Sequence, residues 1–436
     1  MAGSDRASDK GFRFPHRVHV GWLVFAVVVI GVLLLLLWSV MNHQRFRLDT
    51  THRGTLREEL DAIAAVTGGS LIRGNAIEVG QNGDYFHRLF EDIEAAEETI
   101  HFETYIWWPG EVSRKLARLL AARAADGLEV RVLLDWAGAR EISEESLSSM
   151  RDAGAEVTFY RPPTFRSIGR LNFRTHRKIA VIDGRIAYLS GHGIADQWTG
   201  NAERKDRYRD TFVRIRGPIV RQIQAAFFEN WLEETRTLPV GKMYFPELES
   251  AGDVTAHIAY YHPIGDVSSV EALFYTVVSA ATEEVVIQNP YFVVEETMLQ
   301  LFERAIDRGV RIRVMIPSVL ATDNAIVQHA SHHQFERLLS AGVELYVFDK
   351  TLLHQKVMVV DGIWSAIGST NFDDRSFELN DEIQIGMLDR EIASDLLRAW
   401  DRDVRFARRI DLEEWRERGW LHKIQDELAY LLNEQL

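Results

Sequence analysis

The chain of 436 residues has no cysteine and only ten prolines. Without cysteine there can be no disulfide, no thiolate-held zinc, no iron–sulfur cluster and no thiol nucleophile. The absence does not fix the compartment, because a disulfide-free protein is compatible with either side of a membrane. Net positive charge is also missing: 64 Asp and Glu against 50 Lys and Arg give −14. Nucleic-acid affinity comes largely from phosphate neutralisation, so no nucleic-acid partner is expected. Long disordered or collagen-like stretches are excluded by a composition that is 46% hydrophobic and 26% charged, which suits a large folded core.

One long hydrophobic run is present. Residues 20–41 read VGWLVFAVVVIGVLLLLLWSVM, without a charge. A helix of that length, at about 1.5 Å per residue, spans a hydrocarbon core of about 30 Å. Trp22 and Trp38 lie near its ends, where indoles favour headgroups. The run is too long for a secretory signal, and no small-x-small cleavage site follows it. It is read as a retained transmembrane helix, preceded by an N-terminal tail over residues 1–19, which makes the protein a single-pass protein of a bacterial inner membrane. The four basic residues flanking each side leave its orientation open.

Beyond residue 65 one pattern occurs twice. TIHFETY at 99–105 has its counterpart in VVIQNPY at 285–291, and GLEVRVLLD at 127–135 in GVRIRVMIP at 309–317. AGAEV at 153–157 matches AGVEL at 341–345, and HRKIAVIDG at 176–184 matches HQKVMVVDG at 354–362. Ordered matches at a nearly constant separation predict a duplicated architecture. Apolar strands alternating with amphipathic helices predict α/β lobes over 65–237 and 254–436. The Pro- and Gly-rich stretch 238–253 reads as the linker, and the C-terminal segment as helices packed on the second lobe.

Each half carries H-x-K-x-x-x-x-D: His176, Lys178 and Asp183, then His354, Lys356 and Asp361. Alternate residues of a strand share a face, so each histidine points the same way as its lysine. An ammonium neutralises phosphate oxygens, and an imidazole attacks phosphorus or moves a proton. Two such pairs suit a two-step displacement with one nucleophile and one acid.

The doubled motif resembles the phospholipase D superfamily, and the chain more narrowly resembles bacterial cardiolipin synthases of that type. ETYIWWPG at 103–110, NFRTHRKIAVIDG at 172–184, RDTFVRIRGP at 209–218, NPYFV at 289–293 and the stretch 354–382 carry the likeness. The resemblance implies two α-β-α sandwich lobes related by a pseudo-two-fold axis. It also implies a phosphohistidine intermediate, with His176 as nucleophile and His354 as acid and base. Lys178, Lys356 and Asn371 of the Gly368-Ser369-Thr370-Asn371 segment would hold the phosphate. Glu382 and Asp210 would orient the histidines through the far ring nitrogen. Asp183 and Asp361 complete the catalytic motif, with a structural role near the strand ends. No metal or cofactor is implied. In the first half Gly193 stands where the family has an asparagine, which removes one donor; His192 or a water is expected to replace it.

From residue 157 to 182 there is no acid but six basic residues, interleaved with aromatic and aliphatic side chains. Arg170, Arg174 and Arg177 are therefore expected to bind an anionic phospholipid such as phosphatidylglycerol. His332 and His333 look like a metal pair only on paper, because adjacent residues do not share a helix face. The expected activity joins two phosphatidylglycerols into cardiolipin with release of glycerol. Hydrolysis to phosphatidic acid is the alternative, with a nuclease and a non-catalytic lipid-binding scaffold as more distant ones. The sequence leaves oligomeric state open.

Overall fold

The computed structural model describes residues 22, 25–31, 54–164, 170, 172–263 and 268–431. The chain divides into two units, 1–47 and 48–436. In the first, Trp22 and residues 25–31 are helical, with Trp22 edge-on to Phe25. Most of the expected span 20–41 lies outside the described residues. Among those described, no helix is long and apolar enough to cross a membrane.

The second unit is built on one long sheet. Its first-half strands are β1 (Ile72–Gln81), β2 (Thr99–Thr104), β3 (Glu129–Asp135), β4 (Glu156–Tyr160), β5 (Arg174–Thr175), β6 (Ile179–Ile182), β7 (Ile186–Ser190) and β8 (Thr211–Arg216). The second half supplies β9 (Val254–Tyr261), β10 (Glu284–Gln288), β11 (Arg311–Pro317), β12 (Glu344–Phe348), β13 (Val357–Val360), β14 (Trp364–Gly368), β15 (Asn380–Leu388) and β16 (Ala407–Arg409). From the middle outward the first half runs β1-β8-β7-β6-β2-β3-β4 and the second β9-β15-β14-β13-β10-β11-β12. The two orders match strand for strand, as a duplicated chain requires. They meet where β1 pairs antiparallel with β9 through Ile72 and Ala256. The expected two lobes thus share one sheet within a single compact unit.

Strand runs buried on both faces explain why the motif strands read as continuously apolar rather than alternating. In β6, Ile179 and Val181 join the core that contains Phe227 and Trp231 of helix Val220–Thr235. Ala180 and Ile182 face the opposite core, with Leu89 of helix Asp84–Glu94 and Leu116 of helix Glu111–Ala125. The C-terminal segment adds helix Arg390–Asp403, the edge strand β16 on β12, and helices Leu412–Glu417 and Trp420–Tyr430.

The two motif aspartates close the ends of these strands remote from the histidines. Asp183 accepts hydrogen bonds from the amides of Glu97, Glu98 and Thr99 at 2.8–3.0 Å, and its own amide donates to Thr99 at 2.8 Å. Asp361 does the same for Thr282, Glu283 and Glu284, and also takes the Thr282 hydroxyl. Both sit at positive φ, 53° and 51°, followed by a glycine in the same region. Asp tolerates this conformation better than most residues. The residue thus makes a turn and fastens β2 to β6, or β10 to β13. Neither aspartate reaches the imidazoles, so of the motif's three polar residues only two form the site.

Candidate active site

Each histidine is held by the opposite half of the chain. β5, just before His176, pairs in parallel with β15, and the His176 amide donates to Asp381 at 2.9 Å. Reciprocally, Leu353 bridges to Arg209, and the His354 amide donates to the Arg209 carbonyl at 2.8 Å. This crossing delivers each carboxylate to the other half's ring. Glu382 Oε1 lies 2.8 Å from His176 Nδ1, and Asp210 Oδ2 lies 2.9 Å from His354 Nδ1. In each case Nε2 is the nitrogen left for chemistry.

The supports behind the carboxylates differ. Glu382 accepts from the Ser369 hydroxyl. Asp210 accepts from the Trp198 indole at 2.8 Å and the Thr211 amide at 2.8 Å. An aromatic edge also closes on each imidazole: Tyr105 on His176 at 5.4 Å and Trp198 on His354 at 5.1 Å.

The two ammonium groups are buried, without a direct carboxylate contact among the described residues. Lys178 donates to the His176 carbonyl at 2.7 Å. Lys356 donates to the His354 carbonyl at 2.6 Å, and its Nζ lies 3.0 and 3.1 Å from the two ring nitrogens. Burial and then the charge of Lys356 bring Lys178 down to about 7. Burial brings Lys356 down to about 8, against the pull of Asp210 and Asp323. Burial, then Lys178, Lys356 and His354, push the His176 ring well below the imidazole range, and burial followed by Lys356 lowers His354 to about 4. His176 lies in the field of Lys178, Lys356 and His354, and Lys178 and His354 lie in that of Lys356, so the four groups share one site together with Glu382 and Asp210. A bound anion would restore the charge that burial takes from the two lysines, and a phosphodiester is the anion this chemistry fits.

The carboxylates are driven in opposite directions. Burial raises Glu382 to about 7, with Lys178 opposing. Burial also acts to raise Asp210, but the rings of His192 and His354 and the Lys356 ammonium hold it well below the ordinary carboxylate range.

Asn371 is buried two residues after Ser369, the partner of Glu382; its backbone amide donates to the Ser376 hydroxyl and its Oδ1 has no partner among the described residues. Its counterpart Gly193 has no room for a side chain: a Cβ there would lie 2.9 Å from Ile106 and from Trp198. The indole fills the place of the missing asparagine. His192 does not replace it. Its Nε2 lies 2.8 Å from the Asn82 carbonyl and so carries the proton there, and its ring stacks on Tyr85 at 4.5 Å. That leaves Nδ1 without a proton to donate.

The arginine expectation needs correction. Arg177 is fully buried and spent on the Ala226 and Tyr261 carbonyls and the Glu229 carboxylate. Alternation gives the reason: it faces helix Val220–Thr235, opposite to His176 and Lys178. Arg174 is buried against the carbonyls of Phe173 and Arg161 and lies 3.7 Å from Asp135. Only Arg170 is exposed, and it pairs with Glu233 at 3.3 Å. The run of positive charge is largely neutralised by acids from helix Val220–Thr235, which follows it by some fifty residues. Residues 165–169 lie outside the described set. Arg375 was missed by sequence reading: it contacts Asn172 through its guanidinium and contributes positive charge at His176. Trp198 was missed as well, since no motif marks it. His332 and His333 do diverge: His333 meets Glu427 at 3.0 Å, while His332 joins His329 on Asp426.

Two carboxylate-backed imidazoles and two buried ammonium groups, contributed symmetrically by duplicated α/β halves, define a phospholipase D-type phosphoryl-transfer enzyme. The family model described as cardiolipin synthase, PLD-like domain, matches residues 89–231 and 275–404. The chain is 32% identical over 363 residues to the major cardiolipin synthase ClsA of Bacillus subtilis, covering 82% of this chain and 75% of that protein. It is 32% identical over 351 residues to cardiolipin synthase 2 of Staphylococcus epidermidis, covering 80% and 72%. The phosphatidylserine synthase structure from Haemophilus influenzae superposes with a TM-score of 0.65 at 12% identity, over 85% of this chain and 98% of that one. At that identity the likeness speaks for the fold. The chain belongs to the cardiolipin synthase family.

Proposed function

We propose that the protein is a membrane-anchored phosphatidyltransferase that makes cardiolipin from two phosphatidylglycerols. Neutral His176 attacks the phosphorus of the first lipid through Nε2. The charge of the bound phosphodiester, added to that of ionised Asp210, offsets the burial and the Lys356 charge that lower free His354, so this ring enters the step protonated; the bond to the glycerol headgroup breaks, and His354 gives that oxygen its proton. The phosphatidyl group now rests on His176. His354 then takes the proton from a hydroxyl of the second phosphatidylglycerol, whose oxygen displaces His176. Cardiolipin and one glycerol leave, and both rings return to their starting state. Lys178, Lys356 and Asn371 hold the phosphate oxygens throughout.

The roles of the two rings are supported by their carboxylates. Ionised Asp210 stabilises a proton on His354, as an acid and base requires. Glu382 stabilises charge on His176 less, which suits a ring that must be neutral to attack. The anchor over residues 20–41 places this chemistry at a membrane, where both substrates reside. The single observation carrying the proposal is the pairing of two buried imidazole–ammonium pairs, each ring backed by a carboxylate from the opposite half.

The test is product analysis with purified full-length protein and phosphatidylglycerol vesicles. The account expects cardiolipin and glycerol in equal amounts, and neither from His176→Ala. Phosphatidic acid as the sole lipid product would replace it with hydrolysis.

A further inference from the structure

Helix Trp420–Tyr430 is built inside out. At about 100° per residue, Trp420, Leu421, Ile424, Leu428 and Leu431, which continues the turn, fall within a single arc of about 100°. That arc faces solvent: the five residues are 68%, 59%, 47%, 59% and 77% exposed. The opposite arc carries Asp426, Ala429 and Tyr430 and faces the protein. Asp426 Oδ1 lies 2.8 Å from His329 Nδ1 and 3.4 Å from His332 Nδ1, while Arg418 donates to Oδ2 at 3.1 Å. A surface helix ordinarily buries its apolar stripe and exposes its carboxylates. Here polar contacts pin the helix to the body, and the apolar stripe is turned outward.

The inward face of the helix packs on residues that lead to the catalytic pair. Ala429 and Tyr430 pack with Tyr291, Val293, Val327 and Ala330. The Tyr291 hydroxyl donates to Asp323 at 2.7 Å, and the charge of Asp323 acts on His354 and Lys356. Next to Asp323 in the chain, Leu320 is 90% exposed and Ile326 49%.

We infer that the outward face of helix Trp420–Tyr430 docks on the phospholipid bilayer and holds the catalytic unit at the lipid surface. This rests on the phosphatidyltransferase reading, because the bilayer is where that reaction finds its substrate. The composition fits an interfacial helix: aliphatic residues across the stripe, Trp420 at one end, Lys423 and Glu427 on one flank and Gln425 on the other. Among the described residues of the arginine-rich segment before the first motif, Arg161, Arg170, Arg174 and Arg177 are turned to carboxylates of the protein itself.

The absence of native cysteine makes the test direct. Full-length Ile424→Cys, Leu428→Cys and, as a control on the exposed linker, Lys242→Cys are each labelled with an environment-sensitive fluorophore. They are reconstituted into phosphatidylglycerol vesicles that contain spin-labelled lipid. We expect a blue shift and quenching at 424 and 428 but not at 242. Labels at 424 and 428 that stay water-exposed overturn the inference. So do labels that are shielded without lipid quenching, which would point to a second copy or a protein partner. A Leu421→Glu/Leu428→Glu variant is expected to raise KM for vesicular phosphatidylglycerol by roughly 10-fold while leaving turnover of a short-chain soluble analogue unchanged; an unchanged vesicular KM overturns it as well. Quenching without any cardiolipin formed would retain the docking face and remove the transferase, so the two readings fail separately.

Discussion

The two halves repeat the same strands and the same histidine–lysine pair, but they surround their histidines differently. His176 meets a carboxylate that burial raises to about 7 and a hydroxyl supports; His354 meets one held well below its ordinary range and gripped by an indole. In the second half Asn371 remains. In the first, Ile106 and Trp198 have closed the corresponding space over Gly193. Duplication supplied two equal histidine–lysine pairs, and in the proposed reading their surroundings are what divides the labour. A symmetric pair would give no reason for one ring to attack and the other to carry protons.

The largest effect should come from the rings themselves. His176→Ala and His354→Ala are each expected to lower kcat by about 10⁴-fold or more on phosphatidylglycerol. A variant of either that retains a tenth of the activity breaks the comparison. The carboxylates should then separate the halves. Asp210→Asn removes a fixed negative charge, with an expected loss of about 10³-fold. Glu382→Gln removes a group already partly protonated near neutrality, with an expected loss of about 10–10²-fold. Equal losses would mean that the two environments do not differ in function.

The pH dependence follows from the lysines. Each loses its positive charge above its own pKa, about 7 for Lys178 and about 8 for Lys356. Since kcat/KM reports the free enzyme, it should fall as pH rises through this range. Bound anionic substrate raises both values, so kcat should fall only at higher pH. Coincident alkaline limbs would contradict this.

Trp198→Phe keeps the edge packing on His354 but removes the hydrogen bond to Asp210. A loss of about 3–10-fold in kcat is expected, without loss of folding. The smallest catalytic effect belongs to the motif aspartates. Asp183→Ala and Asp361→Ala should each cost about 2–3 kcal/mol of stability, read as a lower Tm, while kcat per folded molecule holds.

The sequence was legible wherever the signal was local or repeated. The apolar four-residue strands between the lysine and aspartate of each motif, the repeated glycine–strand units and the common orientation of His176 with Lys178 follow from periodicity alone. The same alternation already turns Arg177 away from the site. Taking it as substrate-binding gave composition more weight than geometry. The acids that neutralise Arg177 and Arg170 lie on a helix some fifty to sixty residues later, and no local pattern shows that pairing. The crossed delivery of Glu382 to His176 and Asp210 to His354 depends on which strands meet at the centre of the sheet. The filling of the asparagine site by Trp198 is likewise a fact of packing. The outward stripe of the last helix can be read as amphipathic in sequence, but only its contacts show which side faces the body.

The central claim is that the two halves act on one phosphorus, with His176 carrying the phosphatidyl group. The most direct measurement uses His354→Ala with a phosphatidyl ester of a good leaving group such as p-nitrophenol, which departs without an acid. Quenched protein is digested and mapped by mass spectrometry. The account predicts one burst of nitrophenolate per protein and a phosphatidyl adduct on residue 176 that turns over slowly. No adduct on His176, or an adduct on His354 when the reciprocal His176→Ala protein is treated alike, would contradict it.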